Sequence, residues 1–254
     1  MSSSETNMNR TAMIFGATGA VGKQLLKDVL VNGKYTKVIS VGRRSVELEP
    51  TIPQDKLEQK TVDFENLEAD RSIFKGVSDV YCCFGTTRAD AGSAENFIKI
   101  DQTYVLNSAK IIAEENKPSD SKLAPVHFLY CSSAGSNKDS MFLYIKTKGQ
   151  TEEALAETGF EKVSIFNPAF LETVEPRTRF RAMERISFTI FQPINRMFNL
   201  HQIISVATVG KAMHRVAEDA TLKPKDPKNT KTSVIGSLVA AFANSDIEAI
   251  GKQN

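Results

Sequence analysis

The sequence predicts an α/β fold, a doubly wound parallel sheet with helices on both faces. Two observations carry the prediction. Short, continuous apolar runs alternate with stretches of helical period from Thr11 to about residue 170, the pattern of strands buried on both faces. A glycine-rich turn joins the first run to the first helical stretch, and right-handed crossovers then wind such a chain into two layers of helices.

The elements follow in order. TAMIFGA, from Thr11, is short, apolar and followed by glycines, so it reads as a buried strand. Val21, Leu25, Leu26, Val29 and Leu30 then share one helix face, closed by Asn32–Gly33. KVISVG is the second strand, and LEQKTVDF, DVYCCFG, VHFLYCSS and KVSIFNPAF supply four more. Helical stretches near Leu67–Phe74, Ala94–Asn116 and Met141–Thr158 lie between them, and TSVIGS is a candidate seventh strand. Composition shifts after Phe170, first to the basic, aromatic ETVEPRTRFRAMERISFTIF and later to LKPKDPKNTK, a solvated turn. The expected organisation is a flexible tail at 1–10, a Rossmann-type core at 11–170, and a small, mostly helical region at 171–254 that adds a last strand and helix.

Bulk properties exclude several classes. In 254 residues, 41% hydrophobic and 24% charged side chains suit an ordinary soluble domain, and a net charge of +2 offers no nucleic-acid footprint. The odd cysteine count (Cys82, Cys83 and Cys131) fits reduced thiols in a cytosolic compartment. The longest near-apolar run, SVIGSLVAAFA, is about half a membrane span, and the N-terminus lacks a signal-peptide core.

GATGAVG, Gly16 to Gly22, sits where a phosphate-binding turn belongs, with a strand before it and a helix after it. Its spacing is Gly16-x-x-Gly19-x-x-Gly22, and the physical needs are a tight turn, close approach to pyrophosphate and close helix–strand packing. Thr18, Ala20 and Val21 belong to the same stretch, at a helix N-terminus that faces an anion. About twenty residues on, where an acidic residue would hold a ribose 2′-hydroxyl, the second strand ends in Arg43 and Arg44. Two guanidiniums suit a 2′-phosphate, so NADPH is expected over NADH. Asp63 and Phe64 are placed beside the adenine, and Gly85, Thr86 and Thr87 of FGTTR beside the adenosine ribose.

The candidate chemistry lies further along. YCSSAGS ends the fifth strand at the carboxyl edge of the sheet with Ser132 and Ser133, and Tyr144 starts a helix on which Lys148 lies one turn later. After the other four tyrosines the residue at that distance is Ile39, Gly85, Ser108 or Ala134. An ammonium beside a phenol favours the phenolate and lowers its pKa. Tyr144 would deliver a proton to a carbonyl oxygen oriented by a serine, and Lys148 would also hold the nicotinamide ribose.

FGATGAVG, VISVGRRS, VDFENL, YCCFGTTRADAGSAENFIKID, YVLNSA, CSSAGSNKDSMFLYIKTKGQTE and SIFNPAFL together resemble the short-chain dehydrogenase/reductase superfamily. Within it they are similar to the atypical branch of the HIV Tat-interacting oxidoreductase and related fungal mitochondrial-surface proteins. The resemblance runs from about Thr11 to Leu171 and continues more thinly through VATVGKAM and a helical tail near Asp246–Gly251. It implies that Gly16, Gly19, Gly22, Arg43 and Arg44 bind NADPH, that Tyr144 is the proton donor with Lys148 its partner, and that Ser133 orients the carbonyl, with Ser132 its close rival. It places Pro168 against the nicotinamide. Two positions depart from the superfamily pattern: Asp101 stands where a helix asparagine serves a proton relay, and Asn167 where arginine is more usual. The resemblance also implies a cytoplasmic protein, or one held peripherally on the mitochondrial outer membrane.

Other features carry less. Cys82 and Cys83 point to opposite faces of a strand as buried thiols rather than a redox pair. His127, His201 and His214 lack ligand spacing or a clustered carboxylate, so no metal is expected. The stretch 177–191, with Arg177, Arg179, Arg181 and Arg185 beside Phe180, Ile186, Phe188 and Phe191, stays open between a helical cap over a substrate pocket and a contact with a partner protein or anionic membrane. The leading expectation is an NADPH-dependent carbonyl reductase for a small substrate. The alternative is an NADPH-binding regulator that acts through partner proteins with little turnover.

Overall fold

The computed structural model describes residues 9–172 and 203–253. Residues 1–8, the stretch 177–191 and His201 lie outside the described residues. In chain order the strands are β1 (Thr11–Phe15), β2 (Lys37–Gly42), β3 (Leu57–Thr61), β4 (Asp79–Cys82), β5 (Ala124–Cys131), β6 (Phe160–Asn167), β7 (Phe170–Glu172), β8 (Ile203–Ser205), β9 (Thr230–Thr232) and β10 (Leu238–Ala243). Eight of them form one sheet in the order β3-β2-β1-β4-β5-β6-β10-β9, parallel except for β9 at the edge. β7 and β8 make a separate parallel pair. The strand order reverses between β1 and β4, which opens a crevice at their carboxyl ends.

The helices are α1 (Ala20–Asn32), α2 (Arg88–Ala91), α3 (Ala94–Ile98), α4 (Tyr104–Asn116), α5 (Leu143–Ala156), α6 (Val206–Glu218) and α7 (Asn244–Gly251). Alternation along β1 feeds two apolar layers. Met13 and Phe15 pack with Ile112 of α4 and Leu155 of α5, whereas Ala12 and Ile14 pack with Leu25 of α1 and Val209 and Met213 of α6. Each of these buried side chains larger than alanine contributes about 1.5–3 kcal/mol of transfer free energy. Residues 203–253 thus close one face of the same sheet. Arg10, placed in the tail by sequence, is anchored: its guanidinium pairs with Asp79 at 2.5 Å and lies 5.0 Å from the centre of the Tyr35 ring.

Three elements differ from expectation. TSVIGS is not the seventh strand; LVAAFA, as β10, pairs with β6 instead. Gly236, at φ +102°, closes a tight turn with Ser233 N–H donating to Ser237 O, so extended chain begins only at Leu238. Leu67–Phe74 is a pair of 3-10 turns broken at Asp70. The helical stretch from Ala94 to Asn116 contains a π-turn, Lys99–Thr103, between α3 and α4. The added residue in that turn aims Asp101 inward, where it is fully buried. His214 also has carboxylate neighbours, with Nδ1 2.7 Å from Asp28, far away in sequence, and Nε2 3.2 Å from Glu218, one helical turn on.

Candidate functional site

The glycine turn is built by close backbone contact. Gly16 has φ +75°, and a Cβ there would lie 2.4 Å from Cys83 O of the neighbouring strand end. A Cβ on Gly22 would lie 2.2 Å from Gly16 O, and Gly19 N–H donates to Gly16 O at 2.9 Å. α1 begins after Gly19 with no side-chain cap and no acidic residue in its first turn, so its first amides stay available to an anion.

Downstream of β2, Arg43 and Arg44 are exposed at the same crevice. Neither guanidinium is in an ion pair with a carboxylate among the described residues. Phe64 and Phe84 meet edge to face at 5.1 Å between ring centres, and Tyr104 lies 5.4 Å from Phe64, giving an aromatic wall. Across that wall the Tyr104 hydroxyl donates to Glu65, which also pairs with Lys99. Asp63 does not line the crevice; its carboxylate accepts the Glu65 N–H at 2.9 Å and caps its own turn.

At the far end, Tyr144 and Lys148 project from the first turns of α5 into the same crevice. Ser133 is the hydroxyl beside the Tyr144 phenol and favours its ionised form. Lys148 Nζ lies 2.9 Å from Asp101 Oδ1 and donates to the Tyr130 hydroxyl at 3.1 Å. Burial would lower the Lys148 pKa, but Asp101, with Tyr130 and Tyr144, raises it well above the ordinary value. Burial raises the Tyr144 phenol; Lys148 pulls it down, Asp101 pushes it up, Ser133 pulls it down, and the net shift is upward. The expected lowering towards neutral pH is therefore absent, because burial outweighs an ammonium whose charge Asp101 already balances. Tyr144 is a protonated phenol at neutral pH.

The two serines separate. Ser132 Oγ donates to Glu152 Oε1 at 2.5 Å and meets Ser136 Oγ at 3.1 Å. Asn167 Nδ2 donates both to Glu152 Oε1 at 2.8 Å and to Ser133 O at 3.1 Å. This brace engages the Ser132 side chain and leaves Ser133 as the hydroxyl on Tyr144. Pro168 is buried, and its carbonyl accepts the Ala134 N–H at 2.9 Å, so it holds the same turn from beneath. Glu152 extends the α5 face of Tyr144 and Lys148 by another turn, a spacing visible in the sequence but passed over there.

α5 reaches this position through Gly149. A Cβ at Gly149 would lie 2.3 Å from Lys138 N. Gly149→Ala is expected to cost about 1–3 kcal/mol by overpacking, read as a lower midpoint in thermal unfolding.

One crevice of about 1370 Å³ joins these parts, larger than the roughly 300–1,000 Å³ of a pocket for one drug-sized ligand. Of the expected residues, Gly16, Thr18, Gly19, Ala20, Val21, Arg43, Arg44, Phe64, Gly85, Thr86, Thr87, Ser132, Tyr144 and Lys148 line it. Gly22, Asp63, Ser133 and Pro168 are not among the residues that line it. Lys23, Glu65, Lys99 and Tyr104 join it unforeseen.

A family model described as NAD(P)H-binding matches residues 16–219. The chain belongs to this NAD(P)H-binding family. It is 35% identical over 205 residues to Protein HTATIP2 of Rattus norvegicus, covering 81% of this chain and 80% of that relative. Protein FMP52, mitochondrial, of Debaryomyces hansenii is 36% identical over 161 residues, 63% of this chain and 66% of the relative. Among solved structures, a short chain dehydrogenase from Burkholderia cenocepacia in complex with NADP shares the fold with a TM-score of 0.59 at 17% identity, over 96% of this chain and 92% of that one. A short chain dehydrogenase family protein from Francisella tularensis does so at 0.62 and 13%, over 94% and 99%.

A nicotinamide dinucleotide fits what this NAD(P)H-binding chain presents. Gly16 and Gly22 let the turn pack directly on the backbone at the end of β4 and on itself, which sets the uncapped start of α1 at the crevice, where it is suited to pyrophosphate. Cys83 and Cys131 line the crevice and Cys82 adjoins them; burial holds all three as thiols, pushing Cys82 up to about 12, Cys131 to about 11, and Cys83 well above its ordinary value.

Proposed function

We propose that the chain is an NADPH-dependent oxidoreductase that reduces a small carbonyl compound. The observation that carries this reading is the placement of Tyr144 and Lys148 on the crevice that also holds the glycine turn, with Ser133 beside the phenol. When bound, the cofactor supplies a hydride to the carbonyl carbon. Tyr144 gives its proton to the carbonyl oxygen, and the products are an alcohol and the oxidised cofactor. Ser133 orients that oxygen. Lys148, whose ammonium has three protons and two protein partners, turns the third towards the crevice and the cofactor's ribose.

Arg43 and Arg44 support NADPH as the preferred form, since two guanidiniums without an ion-pair partner among the described residues suit a phosphate dianion. Replacing both with alanine is expected to weaken NADPH binding about 10- to 100-fold while NADH binding changes little, measured by fluorescence titration. Equal losses for the two cofactors would sink the 2′-phosphate assignment. The word mitochondrial in the fungal relatives' names supports a mitochondrial association, which we propose is peripheral, on the outer membrane. Read as a membrane or partner contact rather than as a cap over the substrate pocket, residues 177–191 would supply that attachment. Among the described residues no helix is long and apolar enough to cross a membrane.

The direct test of the activity is cofactor oxidation across a panel of aldehydes, ketones and quinones. Turnover that depends on both NADPH and a carbonyl supports the reading. Tight NADPH binding without turnover on any of them would replace it with a binding protein that acts through partners.

A further inference from the structure

The mechanism above leaves unused the buried carboxylate that touches Lys148. Asp101 is fully buried, at the middle of the π-turn. Its Oδ1 lies 2.9 Å from Lys148 Nζ, and its Oδ2 accepts the Thr86 N–H at 2.9 Å. Asp101 therefore ties the amine of α5 to the loop that lines the cofactor crevice. The other groups facing this ammonium are Tyr130, Tyr144 and the thiols of Cys82, Cys83 and Cys131. All of these are neutral at ordinary pH, so Asp101 is the group that balances the charge.

The balance has a chemical direction. A lone ammonium beside a phenol favours the phenolate, which is a base that takes a proton from an alcohol during oxidation. A closely paired ammonium and carboxylate present a dipole, whose pull on a neighbouring proton is weaker than that of a full charge. The phenol then keeps its proton for a carbonyl.

We propose that Asp101 is a positioning residue that balances the charge of Lys148, keeps Tyr144 a proton donor, and so sets this site for reduction rather than oxidation. The proposal rests on the reading of Tyr144 as the proton donor. It is tested by a readout that needs neither substrate nor cofactor.

The experiment is an ultraviolet titration of phenolate formation in the full chain, comparing wild type, Asp101→Asn, Tyr144→Phe and the double variant Asp101→Asn/Tyr144→Phe. Asparagine keeps an acceptor for Thr86 N–H and removes the charge. The expected result is a one-phenol step in Asp101→Asn, about one pH unit or more below the first step of wild type, and missing from the double variant. The remaining tyrosines do not obscure it, since burial holds Tyr35, Tyr81 and Tyr130 higher and Tyr104 is pushed to about 12. An unmoved titration in Asp101→Asn, or a new step that survives in the double variant, overturns the proposal.

Should Asp101→Asn fail to fold, Lys148→Gln provides the opposite sign. With the ammonium gone and the carboxylate left, the Tyr144 step must rise, and a step that stays in place overturns the proposal equally. The two readings fail separately. Carbonyl reduction that survives Tyr144→Phe defeats the proton-donor assignment whatever the titration gives. Loss of that activity with an unmoved Asp101→Asn titration defeats only the charge-balance inference.

Discussion

Tyr144→Phe is expected to lower carbonyl reduction about 10²- to 10⁴-fold, the usual worth of a positioned general acid, while NADPH affinity is retained. The substitution removes one hydroxyl from a ring that packs 5.8 Å from Phe97, so the wall of the crevice keeps its shape. What is lost is the proton source beside Ser133. The measurement is kcat and KM beside a cofactor titration on the same preparation. A fall in NADPH affinity as large as the fall in rate would place Tyr144 in cofactor binding instead. The wild-type rate has a matching pH signature. The phenol's pKa lies above its ordinary value, so its proton is present throughout the neutral range and is lost only as pH rises through that raised value. Reduction should stay level across neutral pH and decline on the alkaline side.

Gly16→Ala is expected to abolish NADPH binding and to destabilise the fold by about 3 kcal/mol. Two separate violations add here. The backbone at φ +75° costs about 1 kcal/mol or more once a Cβ is present. That Cβ then lies 2.4 Å from Cys83 O, and since the obstacle is backbone at the end of β4, relief requires moving a central strand. Either movement also displaces the start of α1, where the pyrophosphate is expected. Calorimetry of NADPH binding, together with thermal unfolding, reads both effects. A variant that binds NADPH normally would show that the turn does not approach the phosphates.

The glycine turn was legible in the sequence because its requirements are local: a strand, a tight turn and a helix start lie within a dozen residues. The Tyr144–Lys148 pair was legible for a similar reason, since residues four apart on a helix share a face. Glu152 obeys the same spacing, yet its meaning depends on Ser132 and on Asn167 from β6, which meet it only after folding. The Lys148–Asp101 pair joins α5 to a turn in another helix, and no local pattern announces it. Nor does the spacing of residues announce the net pKa of Tyr144, because burial outweighs the neighbouring lysine. TSVIGS misled because its apolar residues were counted without the break that Gly236 imposes; LVAAFA, just beyond, had the longer run and the core-facing Val239 and Phe242.

The π-turn at Lys99–Thr103 makes the chemistry depend on helix phase. Removing a single residue between Ala94 and Tyr104 would restore a regular helix and rotate everything on one side by about 100°. Ile100 or Gln102 would then face Lys148 in place of Asp101. A one-residue deletion, silent in composition and nearly silent in secondary structure, would separate the buried carboxylate from its amine. In comparing relatives, the length of this helix therefore matters as much as the identity of the residue at position 101.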